Sequence, residues 1–364
     1  MTLPPNQRLL WGAIASFSLI GAGTIRRFQK HKLGAEDIWQ ASQSTLREIG
    51  VSDTCCERFV PWRTSFDLEK FEQTLTDEGI RIVLREDLDY PLSLTTIHDP
   101  PEVLFVRGVL PSNRPTIAVV GTRRPSEYGS QALERIVGPI AEQGIPIISG
   151  LALGTDAFAH ALALNRKSYT CAVLASGVDQ KKIYPRFNQR LAEQILEQGG
   201  CLLSEAPPGT RPRPEAFPIR NRLIAGLAQA VVVIEAAIDS GTLITARLAL
   251  DHGQEVLAVP GSIWSDVSAG THQLIRSGAR LCAEANDILQ ALNLDRAESS
   301  AQAQVVLPLT PDERSLFEYL TSPQTSDELA RGNDWSIGRI SQALSMLELK
   351  QLVVRLDHHL WGRI

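Results

Sequence analysis

The sequence lacks the cysteine patterns that hold metals or form disulfide frameworks. Its cysteines are odd in number and do not have the paired spacing of a metal site: Cys55, Cys56, Cys171, Cys201 and Cys282. We therefore expect no bound metal, no disulfide bonds and a reducing, cytoplasmic compartment.

Common phosphate-binding fingerprints are also missing. The sequence has no Walker A motif and no Gly-x-Gly-x-x-Gly fingerprint, so it predicts neither ATP hydrolysis nor a dinucleotide cofactor. The formal net charge is −5, which gives no overall positive field for nucleic acid. Any anion site must therefore come from a local concentration of lysine and arginine.

The sequence has no apolar run long enough for a membrane span. The most apolar stretch, residues 9–20, is shorter than the ~20 residues that a span needs. Arg26, Arg27, Lys30 and Lys32 follow it closely and disfavour translocation. We therefore expect a buried helix here rather than a signal peptide or a membrane span.

Apolar, β-branched runs alternate with helical patterns through the middle of the chain. Helices separate the predicted strands, which are 116–120, 145–149, 170–175, 201–204, 230–235 and 255–259. Continuous apolar runs of this length are typical of strands covered on both faces of a parallel sheet. The predicted fold class is therefore α/β, with an extended Rossmann-like doubly wound sheet.

Helical regions flank the predicted sheet domain, residues 80–292. Residues 1–75 predict a small helical domain, in which a Gly-x-Gly turn at 21–23 fits either a helix-hairpin-helix or an ordinary turn. Residues 293–309 are polar and unpatterned, which predicts a linker. Residues 310–364 predict three helices and a hairpin, as in a winged helix.

The third helix of this predicted winged helix is not strongly basic. It carries Arg339 and Lys350 but also Glu348. Contact with DNA and contact with protein therefore both stay open for this domain. A regulator that acts only on duplex DNA through this helix is disfavoured.

Basic residues outside the termini form three groups that follow predicted strands: Arg123-Arg124, residues 181–190 and residues 211–222. Because the carboxyl ends of parallel strands meet at one edge of a sheet, we expect these groups to line one rim. Such a groove follows a phosphate backbone despite the negative total charge. The polar residues predicted to bind DNA through these groups are Arg123, Lys182, Arg186, Arg211, Arg213, Arg220, Asn221 and Arg222.

Glycines and hydroxyl residues at the same strand ends offer backbone N–H groups and side-chain oxygens. Those predicted to contact phosphate are Gly121, Thr122, Ser149, Gly150, Ser240, Gly241 and Thr242. For residues 240–242 an ordinary helix cap is the competing interpretation.

Phe217 lies inside the third basic group, on a predicted loop. Two interpretations are equally supported. The ring stacks on a base, which is typically worth ~1–3 kcal/mol, or it anchors its own loop on the sheet.

Asp156 and His160 are four residues apart on one predicted helix face and are spaced to hydrogen-bond. No nucleophile and no third metal ligand accompany them. A structural network at the helix start is therefore favoured over catalysis, and Glu235 is placed with them as a pocket residue.

A series of short motifs occurs in a fixed order between residues 80 and 285. They are Tyr90-Pro91, Pro100–Gly108, Val120–Arg123, Tyr128-Gly129, Ser149–Ala152, Gly154-x-Asp156, Ala159-His160, Tyr184-Pro185, Ser204-Glu205, Phe217–Arg222, Glu235, Ser240-Gly241, Thr245-Ala246, Pro260-Gly261 and Gly278-Ala279. Their order resembles the DNA-processing protein A family (DprA, also called Smf). The flanking regions also resemble that family's sterile-alpha-motif-like N-terminus and winged-helix C-terminus.

The resemblance implies a cytoplasmic, non-enzymatic homodimer without a cofactor. Its implied ligand is single-stranded DNA, and its implied partners are the RecA recombinase, which it loads onto that DNA in natural transformation, and single-strand-binding protein. The resemblance assigns backbone phosphate to Gly121, Thr122 and Arg123 and a base to Phe217. Some relatives carry a lysine where this chain has Pro214, so we expect Arg211 or Arg213 to replace it.

An enzyme is the alternative hypothesis. Rossmann-like proteins of the lysine-decarboxylase-like group hydrolyse the glycosidic bond of nucleoside monophosphates, using a Pro-Gly-Gly-x-Gly-Thr loop with a catalytic glutamate and arginine. The nearest loop here, residues 239–242, lacks the paired glycines, which disfavours this activity.

Overall fold

The structure is a computed structural model, and it describes residues 5–111, 114–294, 309–320, 322–350, 352–357 and 360–363. The chain divides into two compact units, Met1–Asn293 and Leu294–Ile364, which are described separately. Within the described ranges, no helix combines the length and apolarity needed to cross a membrane.

Helices occupy the first part of the first unit: α1 (Pro5–Ala15), α2 (Ala22–Lys30), α3 (Ala35–Gln40), α4 (Gln43–Glu48), α5 (Asp53–Ser65) and α6 (Leu68–Asp77). The predicted turn at 21–23 is only partly a turn, because Gly23 lies in the first turn of α2. Aromatic rings join these helices, as in the pair Trp39 of α3 and Phe59 of α5, whose centroids are 6.5 Å apart.

A nine-stranded sheet follows: β1 (Arg81–Leu84), β2 (Val103–Gly108), β3 (Ile117–Val120), β4 (Ile147–Ser149), β5 (Thr170–Val173), β6 (Cys201–Ser204), β7 (Ala230–Val233), β8 (Glu255–Ala258) and β9 (Arg280–Leu281). Its order is β1-β2-β6-β5-β4-β3-β7-β8-β9. Strands β3 to β9 are mutually parallel, whereas β1 and β2 pair antiparallel at one edge. From β3 the chain moves outward through β4, β5 and β6 and then returns to β7 on the other side of β3.

The helices of the sheet region are α7 (Leu92–Thr95), α8 (Glu127–Glu142), α9 (Thr155–Asn165), α10 (Gln189–Glu197), α11 (Ala216–Leu227), α12 (Gly241–Asp251), α13 (Asp266–Arg276) and α14 (Ala285–Ala291). They cover both faces, as β5 demonstrates. Cys171 and Val173 pack with α7, α11 and α12, while Ala172 packs in a second cluster with α9, α10 and α1–α6. Alternate strand residues point to opposite faces, so the N-terminal helices share a core with one face of the sheet. The predicted doubly wound α/β architecture is confirmed.

The second unit contains α15 (Pro311–Tyr319), β10 (Gln324–Thr325), α16 (Ser326–Asn333), α17 (Ile337–Leu349), β11 (Val353–Asp357) and β12 (Leu360–Arg363). The strands form a sheet in the order β10-β12-β11. Three helices with this small sheet form the predicted winged helix. Residues 295–308 of the predicted linker are not among the described residues, and neither are residues 358 and 359 of the predicted hairpin turn.

A buried carboxylate ties the start of α15 to the end of α17. Glu313 is 3% exposed, and its Oε2 accepts from Lys350 Nζ at 2.5 Å and from Thr310 N at 2.8 Å. The hydrogen bond from Lys350, followed by that from Thr310, lowers the pKa of Glu313 below its ordinary value.

We expect this carboxylate to make the second unit sensitive to acid. Because the folded pKa is depressed, its stabilisation is complete above the ordinary value of 4.5 and is lost as the pH falls through the folded pKa. Glu313→Gln should therefore be less stable than the parent at pH 7, with a difference that shrinks below pH 4.5. Amide hydrogen exchange in α15 and α17 measures this, and a difference independent of pH would contradict it.

Candidate nucleic-acid interface

An open groove of ≈ 690 Å³ lies beyond the carboxyl ends of β3, β4 and β7. Strands β4 to β6 follow β3 on one side, whereas β8 and β9 follow β7 on the other. The groove therefore lies at the topological switch point of the sheet, where open α/β sheets bind ligands. We call it the switch-point groove. The predicted site residues that line it are Gly121, Thr122, Arg123, Asp156, Phe217, Arg220, Asn221, Ser240, Gly241 and Thr242.

A second cavity of ≈ 420 Å³ adjoins the groove, and we call it the basic pocket. Tyr184 lines both cavities. The walls of the basic pocket are Lys181, Lys182, Ile183, Tyr184, Arg186, Arg211 and Pro212. The fold thus brings Lys182, Arg186 and Arg211 together beside the groove. Tyr184 was not among the predicted site residues, although its position among the cations of residues 181–190 was a usable signal.

Phe217 lies in the first turn of α11, so its predicted placement on a loop is wrong. Its ring centroid is 5.7 Å from Arg123 Cζ and 6.0 Å from Arg220 Cζ. The ring of Tyr184 lies 6.0 Å away, centroid to centroid. Among the described residues, neither apolar cluster of the sheet includes Phe217. The ring therefore belongs to the groove wall, between two guanidinium groups.

Arg220 forms the floor of the groove and is only 7% exposed. Its Nη1 donates to Gly150 O at 2.8 Å and to Val173 O. Burial lowers the pKa of Arg220 to about 10, so the side chain remains charged at neutral pH. The negative charge of Asp156, which also approaches Gly150, partly opposes this lowering of the pKa. Most of this guanidinium is engaged within the fold, where it supports Phe217.

Asp156 and His160 do not form the hydrogen bond that their spacing allows. Asp156 Oδ2 accepts from Gly150 N at 3.1 Å and from Ala152 N at 3.3 Å, so it closes the turn between β4 and α9. His160 Nδ1 instead lies 2.7 Å from Thr170 Oγ1. Burial lowers the pKa of His160 to about 3 and raises that of Asp156. Both side chains therefore have hydrogen-bond partners within the fold, and only Asp156 lines the groove.

We searched the described part of the chain for side chains that could hold a metal ion. It contains no group of three or more His, Cys, Asp or Glu residues arranged to hold an ion. Glu235, which was predicted as a pocket residue, lines neither the groove nor the basic pocket. Its Oε2 accepts from Ser126 N at 2.9 Å, and its Oε1 accepts from Ser126 Oγ at 2.5 Å.

The hydroxyls that begin α12 have structural partners, but the helix end itself faces the groove. Ser240 is the N-cap of α12, and its Oγ accepts from Thr242 N at 3.2 Å. Thr242 Oγ1 donates to Gly121 O at 3.0 Å, which joins this helix to the turn after β3. Gly241 has open space where a Cβ would lie. Because residues 240–242 line the groove, the positive end of the helix dipole faces it and would favour an anion there.

Four of the predicted contact residues line neither the groove nor the basic pocket. Ser149 is buried and donates to Val119 O at 2.7 Å, and Gly150 is buried beside it. Arg213 is exposed but lines neither cavity. Arg222 Nη2 pairs with Glu205 Oε2 at 2.6 Å, so the fold directs this cation away from the groove.

Two turns interlock where the groove begins. Gly154 has a φ of +78°, and a Cβ there would lie 2.6 Å from the backbone C and O of Arg123. Thr155 N also donates to Thr122 O at 3.2 Å. The turn that carries Arg123 is therefore fixed against the start of α9.

Gly154→Ala is expected to destabilise the first unit by about 2–3 kcal/mol, through a left-handed backbone and a clash with the Arg123 turn. Gly144→Ala is the matched control, because Gly144 has a φ of +74° but no atom within 4 Å of the added Cβ. Urea unfolding measures both variants. Equal losses of stability would show that the interlock contributes nothing.

Comparisons with known proteins agree with this architecture. The profile of the family described as DNA recombination-mediator protein A matches residues 81–293, and that of the DprA winged helix domain matches residues 299–357. DNA processing protein DprA of Bacillus subtilis is 41% identical over 218 residues, which are 59% of this chain and 72% of that protein. Protein Smf of Synechocystis sp. is 34% identical over 309 residues, which are 83% of this chain and 77% of that protein.

Two solved structures resemble this fold. The X-ray structure of DprA from Streptococcus pneumoniae has a TM-score of 0.65 at 32% identity and covers 80% of this chain and 98% of that one. A structure of DNA processing protein A from Helicobacter pylori, described by its single-stranded DNA binding mode, has a TM-score of 0.52 at 28% identity. The match covers 59% of this chain and 97% of that one. The resemblance found in the order of the motifs is confirmed. The profile of the DNA recombination-mediator protein A family matches more than half of this chain, so the chain belongs to that family.

Proposed function

We propose that this chain binds single-stranded DNA along the switch-point groove and catalyses no reaction. The observation that carries the proposal is the contact between Arg123 and Phe217, with Arg123 Cζ 5.7 Å from the ring centroid. An exposed cation beside a half-buried aromatic ring offers a phosphate contact and a base contact next to each other.

The geometry of the groove favours an unpaired strand over a duplex. Phe217 lies in a concave site between Arg123 and Arg220, and a base must leave its stack to reach such a ring. The N-terminus of α12 faces the same groove and favours an anion. The relative from Helicobacter pylori is described as binding single-stranded DNA, and shared family membership supports the same ligand here.

The role that we propose for the bound strand is transfer to a recombinase. In this proposal the protein acts in the cytoplasm as a homodimer, loads RecA onto the strand and displaces or bypasses single-strand-binding protein. Its support is membership of a family described as recombination mediators.

The alternative of a nucleoside-monophosphate hydrolase gains no support from the groove. Glu235 does not line the groove, and both of its carboxylate oxygens accept hydrogen bonds from Ser126. Asp239 does line the groove, but it lies on the loop that lacks the paired glycines of those enzymes. We therefore retain a binding protein as the proposal.

The winged-helix unit contributes less to the proposed DNA binding. Arg339, on α17, donates to Asp312 from Nε at 2.8 Å and from Nη2 at 2.6 Å, and it also lies over the ring of Trp335. This arginine is therefore largely neutralised within its own unit.

Binding to labelled single-stranded and duplex oligonucleotides of one sequence, measured by gel shift, tests the proposal. We expect the full chain to prefer the single strand, and we expect a chain that ends at residue 293 to keep most of that affinity. Equal or tighter binding to the duplex would contradict the proposed ligand. Loss of all binding on truncation would move the site to the winged-helix unit.

A further inference from the structure

We propose that the outer face of α9 and the adjacent Phe187 form a docking surface for an acidic protein segment that carries large apolar side chains. We call this surface the α9 patch, and its residues are Leu153, Ala157, Phe158, Ala161 and Phe187. None of them lines the groove or the basic pocket. The inference goes beyond the proposed DNA binding and does not depend on it.

Helix α9 lacks the charged outer face of an ordinary surface helix. Its sequence, Thr155–Asn165, contains no lysine, arginine or glutamate, and its one carboxylate, that of Asp156, is buried. Ala157, Phe158 and Ala161 are the apolar residues of its outer stripe, and Phe158 is 47% exposed. A helix that is apolar all round is normally buried, so the exposure of this stripe indicates a partner.

Two further apolar side chains extend the stripe. Asn188 Nδ2 donates to Leu151 O at 2.8 Å and to Ala152 O at 3.1 Å, which holds the neighbouring Phe187 beside the turn that leads into α9. Leu153, in that turn, is 44% exposed, and Phe187 is 87% exposed. Single exposed apolar residues are normal, but a contiguous group of them marks an interaction site.

The charge beside the patch indicates an acidic partner. Arg186 and Arg190 flank Phe187 in the sequence, and both are exposed. In the ranges that the structure describes, neither arginine forms an ion pair within 4.0 Å. The next carboxylate along α10, that of Glu193, accepts instead from Gln180 Nε2. Carboxylates of a partner can therefore pair with both cations.

The same cations argue against a second copy of this chain as the partner. In a two-fold symmetric contact, the α9 patch of one copy faces the α9 patch of the other. Such a contact brings Arg186 and Arg190 of both copies together, and like charges placed face to face oppose association.

The composition of the patch also disfavours the bases of a nucleic acid. The side chains of Leu153, Ala157 and Ala161 offer neither a hydrogen-bond partner nor an aromatic face. The polar edges of a base would lose water there without gaining a partner. Apolar side chains of a protein have no such cost and gain from burial.

Selection from a displayed library of random peptides on the immobilised full chain tests the proposal. We expect enrichment of peptides that combine aspartate or glutamate with phenylalanine, leucine or isoleucine. Their affinity, measured by fluorescence anisotropy, should fall about tenfold or more in Phe158→Ser/Phe187→Ser and in Arg190→Glu, because a few anchors and close charge pairs carry most of the binding energy of an interface. Leu88→Ser/Leu92→Ser removes two exposed apolar side chains elsewhere and should bind the peptides like the parent.

Several results would overturn the proposal. They are no enrichment, enrichment of basic or uncharged peptides, and affinities that neither variant changes. An altered oligomeric state of Phe158→Ser/Phe187→Ser in analytical ultracentrifugation would assign the patch to contact between copies, and weaker single-stranded DNA binding by that variant would assign it to DNA. All the substituted side chains are exposed, and matching thermal unfolding midpoints will verify the fold.

Discussion

Replacing Arg220 by methionine is expected to destabilise the first unit by about 3–5 kcal/mol. The substitution keeps most of the side-chain volume but removes a buried cation. Gly150 O and Val173 O then lose their donor, and the buried carboxylate of Asp156 loses its compensating charge. Urea unfolding measures the loss. Arg213→Met, an exposed change on the same segment, should stay within about 0.5 kcal/mol of the parent.

The pH dependence of this loss identifies its cause. Burial raises the pKa of Asp156, and Arg220 counteracts that rise, so the variant should have a still higher pKa. A carboxyl whose pKa is raised in the folded state destabilises that state at high pH, where the carboxyl is charged. This destabilisation fades as the pH falls through the folded pKa toward the ordinary value of 3.8. The loss should therefore be smaller at pH 5 than at pH 8. Asp156→Asn added to the variant should recover part of it, and a constant loss without recovery would rule out the buried charge as its cause.

Phe217→Ala is expected to weaken single-stranded DNA binding by ~1–3 kcal/mol with an unchanged salt slope, because stacking releases no counterions. Arg123→Ala should instead reduce the salt slope by about 0.7. Fluorescence anisotropy across a salt series separates the two effects. Unchanged affinity for Phe217→Ala would mean that the ring only anchors the start of α11. An unchanged slope for Arg123→Ala would remove its phosphate contact.

Arg81→Ala provides a control for both variants. Arg81 lies on β1, five strands from β3, or about 24 Å at the usual strand spacing. Its exposed ion pair with Asp89, at 2.8 Å, contributes little to stability. Removing this charge should leave both affinity and salt slope unchanged.

The sequence was sufficient to predict the parallel strands β3 to β8 and the edge of the sheet where the groove lies, but not β1 or β9. Continuous apolar runs such as Ala230–Val233 have few alternatives to a buried parallel strand, and the fold places the residues after such strands at one edge. That argument brought Arg123 and Phe217 to the same groove. It depends on topology alone and needs no side-chain detail.

The partners of individual side chains could not be predicted in the same way. Once residues 216–227 are helical, Arg220 and Arg222 lie about 200° apart around α11, so they cannot face one groove. The arginine pattern of the sequence does not reveal this, because it depends on where the helix begins. Likewise, the spacing of Asp156 and His160 does not reveal that the hydrogen-bond partner of His160 is Thr170, which lies on the next strand, β5.

The core shared by α1–α6 and one face of the sheet restricts how the protein can be shortened. Leu84, Phe105, Ala172 and Leu202 belong to the same apolar cluster as Phe28 and Phe59. A minimal fragment that starts near residue 80 would expose this face to water and invite aggregation. A shortened chain meant to isolate the sheet and its groove should therefore retain the N-terminal helices, even though no residue of those helices lines the groove.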